Sequence, residues 1–163
     1  MKTITFFKMH GLGNDFVIFF EKHNFLDKVA FKNLSDRKTG IGCDLIVILE
    51  QGNSICDVVA KFLNSDGSEA EICGNALRCV GKLLCERLKK KIVVVETLSG
   101  LIEIEALGKN KFQVNLGSPK FEWDKIPLTS SCLTNNLNFD LGNLKGGFAL
   151  NLGNPHVIFF NHS

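Results

Sequence analysis

Short apolar runs, broken by glycine, asparagine and aspartate, set the pattern along this chain. The run Phe16-Val17-Ile18-Phe19-Phe20 reads as a strand, and residues 3–9 mix β-formers ahead of it. Between the two lies a turn-rich loop, His10-Gly11-Leu12-Gly13-Asn14-Asp15. Residues 44–50 and 57–63 have the same strand character. Residues 91–97 are β-branched, and residues 101–105 and 112–116 alternate apolar with polar positions, with turns at 98–100 and 108–110. Residues 148–152 and 157–160 complete the set, separated by Gly153-Asn154-Pro155-His156. Residues 117–146 hold Pro119, Pro127 and many Asn and Ser, and predict a long loop with little fixed structure.

Helical spacing occurs twice. In residues 26–37, Val29, Ala30, Phe31 and Leu34 recur at helical intervals, with Asp27 near the start. Residues 74–89 carry Ala76, Leu77, Cys79, Val80, Leu83, Leu84, Cys85 and Leu88, which cover more than one face in the first three turns. A helix that is apolar most of the way round is buried. Eight or nine strands are predicted, and only they are available to surround it. The pattern therefore predicts an α+β fold, a strand-rich, barrel-like sheet wrapped around a central buried helix.

Composition narrows function more than fold. A length of 163 residues and a hydrophobic fraction of 45% suit a single domain over 1–163 with an ordinary core. Nineteen basic and seventeen acidic residues leave a net charge of +2, which gives no electrostatic case for nucleic acid or an anionic membrane surface. Lys89-Lys90-Lys91 reads as a solvated helix end suited to the C-terminal dipole. No stretch approaches the ~18 apolar residues of a membrane span. The first residues lack a signal-peptide pattern, so the expected location is cytoplasmic and the six cysteines are expected as free thiols. The absence of a Cys-x-x-Cys pair and the scatter of the four histidines argue against a zinc site.

Candidate chemistry gathers at Cys73-Gly74-Asn75-Ala76-Leu77-Arg78, which opens the second helix. A helix N-terminus carries partial positive charge and unpaired N–H groups, so a thiol there loses its proton more easily than a free cysteine. Cys43, Cys56, Cys79, Cys85 and Cys132 read instead as small buried hydrophobes. A thiolate at position 73 serves equally as nucleophile or base, and no sequence feature ties His10 or His156 to it. Asn14, Asn64, Asn75 and Asn154 each lie in a turn or Gly-rich context, where Asn commonly caps its own backbone. Four of them flanking glycines, one beside the candidate thiol, favour recognition of an amino acid. His10-Gly11-Leu12-Gly13 lacks the third glycine and the lysine of a phosphate loop.

These residues carry a resemblance. Residues 9–16 resemble the opening of the diaminopimelate epimerases, and Gly40-Ile41-Gly42-Cys43-Asp44 resembles their next loop. Asn64-Ser65-Asp66-Gly67-Ser68 with residues 73–79 resembles the signature around their first active-site cysteine, and residues 153–156 a fourth block. The resemblance implies a cofactor-free epimerase that interconverts LL- and meso-diaminopimelate in lysine and cell-wall precursor synthesis. Two cysteines would face opposite sides of one α-carbon, one removing and one delivering a proton. Cys73 would be one of them, and His156 would help set its protonation. Asn14, Asn64, Gly74, Asn75 and Asn154 would contact substrate. The implied fold is two similar halves, each a strand-rich barrel around a helix.

Leu45 stands where many members carry glutamine or glycine. The second cysteine, in a Cys-Gly-Ser/Thr-Gly context, and a Glu-Arg pair that holds substrate are not among residues 1–163. The resemblance therefore implies the N-terminal half of the fold, inactive alone, whose partner is a C-terminal half or a second copy. A non-catalytic remnant or binding domain of the same fold is the alternative. A thiol-redox protein would need a resolving cysteine near Cys73, and Cys79 lies on a poorly matched helix face.

Overall fold

The structure, a computed structural model, describes residues 3–21, 27–142 and 144–160. Its contacts divide into two compact units, Met1–Asn115 and Leu116–Ser163.

The first unit begins with β1 (Phe7–Gly11) and β2 (Asn14–Phe20), an antiparallel hairpin. Helix α1 (Lys28–Ser35) follows, then β3 (Leu45–Gln51), β4 (Val58–Asn64) and the two-residue β5 (Glu69–Ala70). Helix α2 (Gly74–Leu88) leads into β6 (Ile92–Thr97), β7 (Gly100–Gly108) and β8 (Lys111–Val114). The sheet order is β1-β2-β3-β4-β6-β7-β8, with β5 hung on β4. Two neighbouring pairs, β2–β3 and β4–β6, are parallel. Parallel neighbours need a crossover, and α1 and α2 supply the two.

Helix α2 touches β1 and β2 near one edge of this sheet, and β6, β7 and β8 near the other. A flat sheet of this width cannot reach one helix from both edges, so the sheet curls around it. Ala76, Leu77, Val80 and Leu84 are at most 1% exposed. Each fully buried Leu or Val side chain contributes about 1.5–3 kcal/mol. Within α2 only its last turn, Glu86, Arg87 and Leu88, is exposed, so Leu88, expected among the buried apolar positions, is not packed.

Helix α1 explains why β2 and β3 are apolar without alternation. Asp27 caps it by accepting from the Ala30 N–H at 2.8 Å. Its Phe31 packs with Val17, Phe19, Ile46 and Ile48 on one face of the β2–β3 pair. Successive side chains alternate faces, so Phe16, Ile18, Val47 and Leu49 point to the α2 side and are buried there. Strands buried on both faces read as continuous apolar runs. Strand β7 has no such second cover: Ile102 and Ile104 are buried and Glu103 is exposed.

Several boundaries differ from the sequence expectation. Residues 10–15 are not an open loop. His10 pairs with Asp15 and Gly11 with Asn14, which leaves a two-residue turn. Its residues Leu12 and Gly13 have φ of 56° and 88°, the mirror-turn geometry whose twist suits a tight hairpin. Only residues from Phe7 onward pair, so the strand expected over 3–9 is shorter at its start. Leu26, expected inside the first helix, lies outside the described residues.

The second unit carries β9 (Asp140–Leu141) against β10 (Leu144–Lys145), and β11 (Phe148–Asn151) against β12 (Pro155–Ile158). The loop expected over 117–146 has more structure than its composition implies. It holds a 3₁₀ turn at Trp123–Lys125, the small β9–β10 hairpin and a bridge from Lys120 to Asn151. Phe121 meets Phe148 edge to face at 5.8 Å. Turn-rich composition hid this order because the segment is held by backbone pairing and aromatic contacts rather than by a periodic apolar face.

Gly81 sits where α2 passes closest to β7. A Cβ there would lie 2.5 Å from Ile104 Cγ2. We predict that Gly81→Val destabilises the chain by about 2–3 kcal/mol, since its gain in helix propensity is only a few tenths of a kcal/mol, measurable by urea unfolding. An unchanged midpoint would show that α2 is free to move off the sheet.

Candidate active site

Register brings the candidate residues of the first unit to one end of its sheet. Phe16 of β2 pairs with Leu45 of β3, and Leu45 pairs with Asn64 of β4. Asn14 at the start of β2, Asp44 just before β3 and Asn64 at the end of β4 therefore share that end. The head of α2 arrives at the same place. A Cβ on Gly11 would stand 2.9 Å from the carbonyl oxygen of Asn75, so the β1–β2 hairpin and the first turn of α2 meet backbone to backbone.

Cys73 is the N-cap of α2, with extended backbone at φ −138° and ψ 105°. Its carbonyl accepts the Leu77 N–H at 2.9 Å. The N–H groups of Gly74, Asn75 and Ala76 thus belong to the helix's first turn and have no intrahelical acceptor. The Cys73 side chain is half-buried and does not cap the helix. Its sulfur lies 3.6 Å from Asn14 Oδ1. Cys43, Cys56, Cys79 and Cys85 are buried, as the sequence implied, whereas Cys132 is exposed and is not the buried hydrophobe expected. Burial pushes the Cys79 thiol up to about 11 and raises Cys43 and Cys85 as well.

Behind Asn14 stands a charged network that the sequence reading did not single out. Asn14 Nδ2 donates to Asp44 Oδ2 at 2.8 Å. Asp44 Oδ2 also accepts the Asp15 N–H at 3.0 Å, and Asp15 Oδ1 accepts the Asp44 N–H at 3.0 Å. Arg37 bridges the two acids, at 2.7 Å to Asp15 Oδ1 and 2.6 Å to Asp44 Oδ1. Lys8 adds a contact of 2.7 Å to Asp15 and donates to the Gly42 carbonyl. The Arg37 guanidinium, opposed by partial burial, holds the Asp15 carboxyl far below the usual range. The Asp15 N–H and the Asn14 amide also lower the Asp44 carboxyl. The only sequence sign of this network was an aspartate beside each turn motif.

Two other asparagines have local partners. Asn64 donates to Ser68 Oγ at 2.9 Å, closing the turn that Asp66 holds through the Ser68 N–H and hydroxyl. Asn75 Oδ1 accepts from Arg78. Leu45 is buried as the first residue of β3. Asn154 and His156 belong to the second unit, at the β11–β12 hairpin. His156 Nε2 is 2.8 Å from Asn154 Oδ1. Pro155 and His156 are already paired within β12, opposite Asn151 and Leu150. Among the described residues, no group of three or more His, Cys, Asp or Glu is placed to hold a metal ion. No helix among them is long and apolar enough to cross a membrane.

Solved structures share this fold. A hydroxyproline epimerase from Agrobacterium vitis superposes with a TM-score of 0.67 at 11% identity, over 94% of this chain and 50% of that one. A phenazine biosynthesis protein of the PhzF family from Bacillus anthracis superposes at 0.63 with 18% identity, over 98% of this chain and 56% of that one. Sequence relationship is closer elsewhere. The family model for diaminopimelate epimerase matches residues 6–122, and the chain belongs to that family. The diaminopimelate epimerases of Rhizorhabdus wittichii and Pelagibacter ubique are 40% and 42% identical over 160 and 161 residues. Those matches cover 96% and 94% of this chain, and the chain spans 56% and 58% of the two relatives.

Two predictions follow from the site geometry. At neutral pH, iodoacetamide should label Cys73 and Cys132 in the folded chain well before Cys43, Cys79 and Cys85, as read by peptide mapping. Cys73 among the slow group would remove it as an accessible reactive thiol. Separately, the lowered Asp15 carboxyl stabilises the fold fully above its unfolded value of about 3.8, and that contribution fades as pH falls below it. Asp15→Asn should cost roughly 2 kcal/mol at pH 6–7 and progressively less below pH 4, measured by denaturant melts across pH. A cost independent of pH would mean that Asp15 acts through packing alone.

Proposed function

We propose that this chain supplies one face of a diaminopimelate epimerase site, with Cys73 as one of two proton-transferring thiols and no cofactor. The observation that carries the reading is the placement of Cys73. It is a half-buried sulfur at the head of a 15-residue helix, 3.6 Å from the Asn14 amide, at the sheet end where Asn64 also lies. A carbanion or carboxylate near this sulfur would meet the unpaired N–H groups of the first turn and their partial positive charge. Asn14, Asn64, Gly74 and Asn75 would contact the amino-acid substrate. By the resemblance of the Gly153-Asn154-Pro155-His156 block, Asn154 would be a further substrate contact and His156 would tune the thiol.

Inversion sets the requirement that shapes the rest of the proposal. A carbon changes configuration only if the proton leaves from one face and returns to the other, so an acid and a base must oppose each other. A single thiol returns the proton to the face it came from. In this reading residues 1–163 form one epimerase half, and the opposing thiol comes from a C-terminal half or a second copy. The setting is the cytoplasm, in lysine and peptidoglycan precursor synthesis. The alternative, a non-catalytic domain of the same fold, would leave Cys73 with no reaction to serve.

The test joins residues 1–163 to the part of the Pelagibacter ubique relative that lies beyond the match. The fusion should convert LL- to meso-diaminopimelate, followed by chiral chromatography, with deuterium incorporated from D2O. Cys73→Ser should lower that rate by about 10²–10⁴-fold. The 163-residue chain alone should show no net inversion as a monomer; inversion by the chain alone that rises with its concentration and is lost in Cys73→Ser would assign the opposing thiol to a second copy. A folded, inactive fusion, or one indifferent to Cys73→Ser, would favour the non-catalytic reading.

A further inference from the structure

An asparagine amide has two chemically opposite ends, an acceptor oxygen and a donor nitrogen, and the two are nearly the same shape. Which end faces a reacting group is therefore decided by what the other end meets. At Asn14 the other end meets Asp44. Asn14 Nδ2 lies 2.8 Å from Asp44 Oδ2, while Asn14 Oδ1 faces the Cys73 sulfur at 3.6 Å. We propose that Asp44 is a positioning residue for the thiol: by accepting from the Asn14 amide nitrogen, it keeps the amide oxygen turned toward Cys73. The inference deepens the reading of Cys73 as a proton-transferring thiol and rests on it.

Three features make the orientation one-sided. An ionised carboxylate only accepts hydrogen bonds, so Asn14 cannot present its oxygen to Asp44. Asp44 is itself tied on several sides, by the Asp15 N–H to Oδ2, by Arg37 to Oδ1 and by its own N–H to Asp15. Those partners are all donors to the acids or are joined through them, so the pair stays in its ionised form at neutral pH. Asp15, Arg37 and Lys8 are the charged groups packed around the pair, and Arg37 offsets the repulsion between the two carboxylates.

The consequence falls on the sulfur. Facing an amide oxygen, Cys73 enters the hydrogen bond only as an S–H donor. The head of α2 acts in the opposite sense, because its partial positive charge favours an anion. Asp44 thus decides that the side-chain group meeting the sulfur is an acceptor, beside the donors of the helix head. If the amide turned over, its nitrogen would donate to the sulfur instead.

The test reads thiol chemistry in the 163-residue chain without substrate, so it can fail while the epimerase reading stands, and the reverse. Iodoacetamide labelling of Cys73 is followed across pH for the native chain, Asp44→Asn, Asn14→Ala and the double variant. An amide at position 44 can donate to Asn14, which frees the Asn14 nitrogen to turn to the sulfur. Asp44→Asn should raise the Cys73 rate at pH 7 by about threefold or more, the scale of one weak hydrogen bond. In the Asn14→Ala background the same change should have no further effect. An equal rise in that background would show that Asp44 acts by its charge and not through Asn14, which overturns the proposal, as does an unchanged rate in Asp44→Asn. Slow labelling of Cys43 and Cys79 reports that the fold is intact. If Asp44→Asn opens it, Asn14→Ala alone still decides whether the oxygen faces the sulfur: loss of an acceptor speeds labelling about threefold, and a slower rate overturns the inference.

Discussion

The closure of one sheet upon one helix is the constraint from which the site follows. Helix α2 is held from both edges of the β1–β8 sheet, and its path is fixed at two points of close approach. At Gly81 only a hydrogen fits against Ile104, and at Gly11 the hairpin backbone comes up against the Asn75 carbonyl. The first contact sets how deeply the helix lies, and the second sets where it begins. Cys73 is the residue at that beginning. Its position therefore comes from packing along the whole length of α2, which buries apolar surface far from the sulfur. A small shift of the helix along its axis would carry Cys73 away from Asn14, whose place is set independently by the β1–β2 ladder.

Electrostatics then does a different job from packing. The acids and bases behind Asn14 are partly open to solvent: Arg37 is 57% exposed and Asp44 41%. Pairs this exposed contribute little to stability, on the order of 0–1 kcal/mol each. Their geometry is nonetheless closely specified. Each aspartate accepts the other's N–H, so β2 and the entry to β3 are pinned at the end where the thiol sits. The network is better understood as an orienting device than as a stabilising one. Asp15, the most enclosed member at 18% exposure, is where orientation and stability overlap.

Much of this was readable in the sequence, and the failures have physical causes. The helix around Ala76–Leu88 and the strands at 45–51 and 58–64 were visible because burial imposes a period, or removes one, in the residues themselves. The placement of Cys73 at a helix head followed from the glycine and apolar run after it. The β1–β2 hairpin was missed because its turn is Leu12-Gly13 rather than Asn-Gly, so the Gly-rich context looked like an open loop. The partner roles of Lys8, Arg37, Asp15 and Asp44 were invisible for another reason. They are scattered across 37 positions and meet only through the parallel pairing of β2 with β3. No local rule connects a lysine at 8 to an arginine at 37. The exposure of Cys132 was likewise undetectable, because a lone cysteine in an irregular segment carries no periodicity.

The arrangement also limits which of the chain's own thiols can pair with Cys73 in chemistry. Cys79 lies on the same helix but faces inward, and desolvation keeps its proton tightly bound. Cys43 is packed beneath α1 beside Ser35, again with burial working against ionisation. Cys85 contacts the Lys91 carbonyl beyond the far end of α2, a helix length away from the head. Cys56 is buried just ahead of β4, 3.4 Å from Glu96, at the opposite end of that strand from Asn64. Each of these four is excluded by burial, by distance along an element, or by both. Within the first unit, then, the surface around Cys73 offers a single face to a substrate carbon. In the proposed inversion, stereochemistry rather than any shortage of binding groups is what calls for an opposing acid.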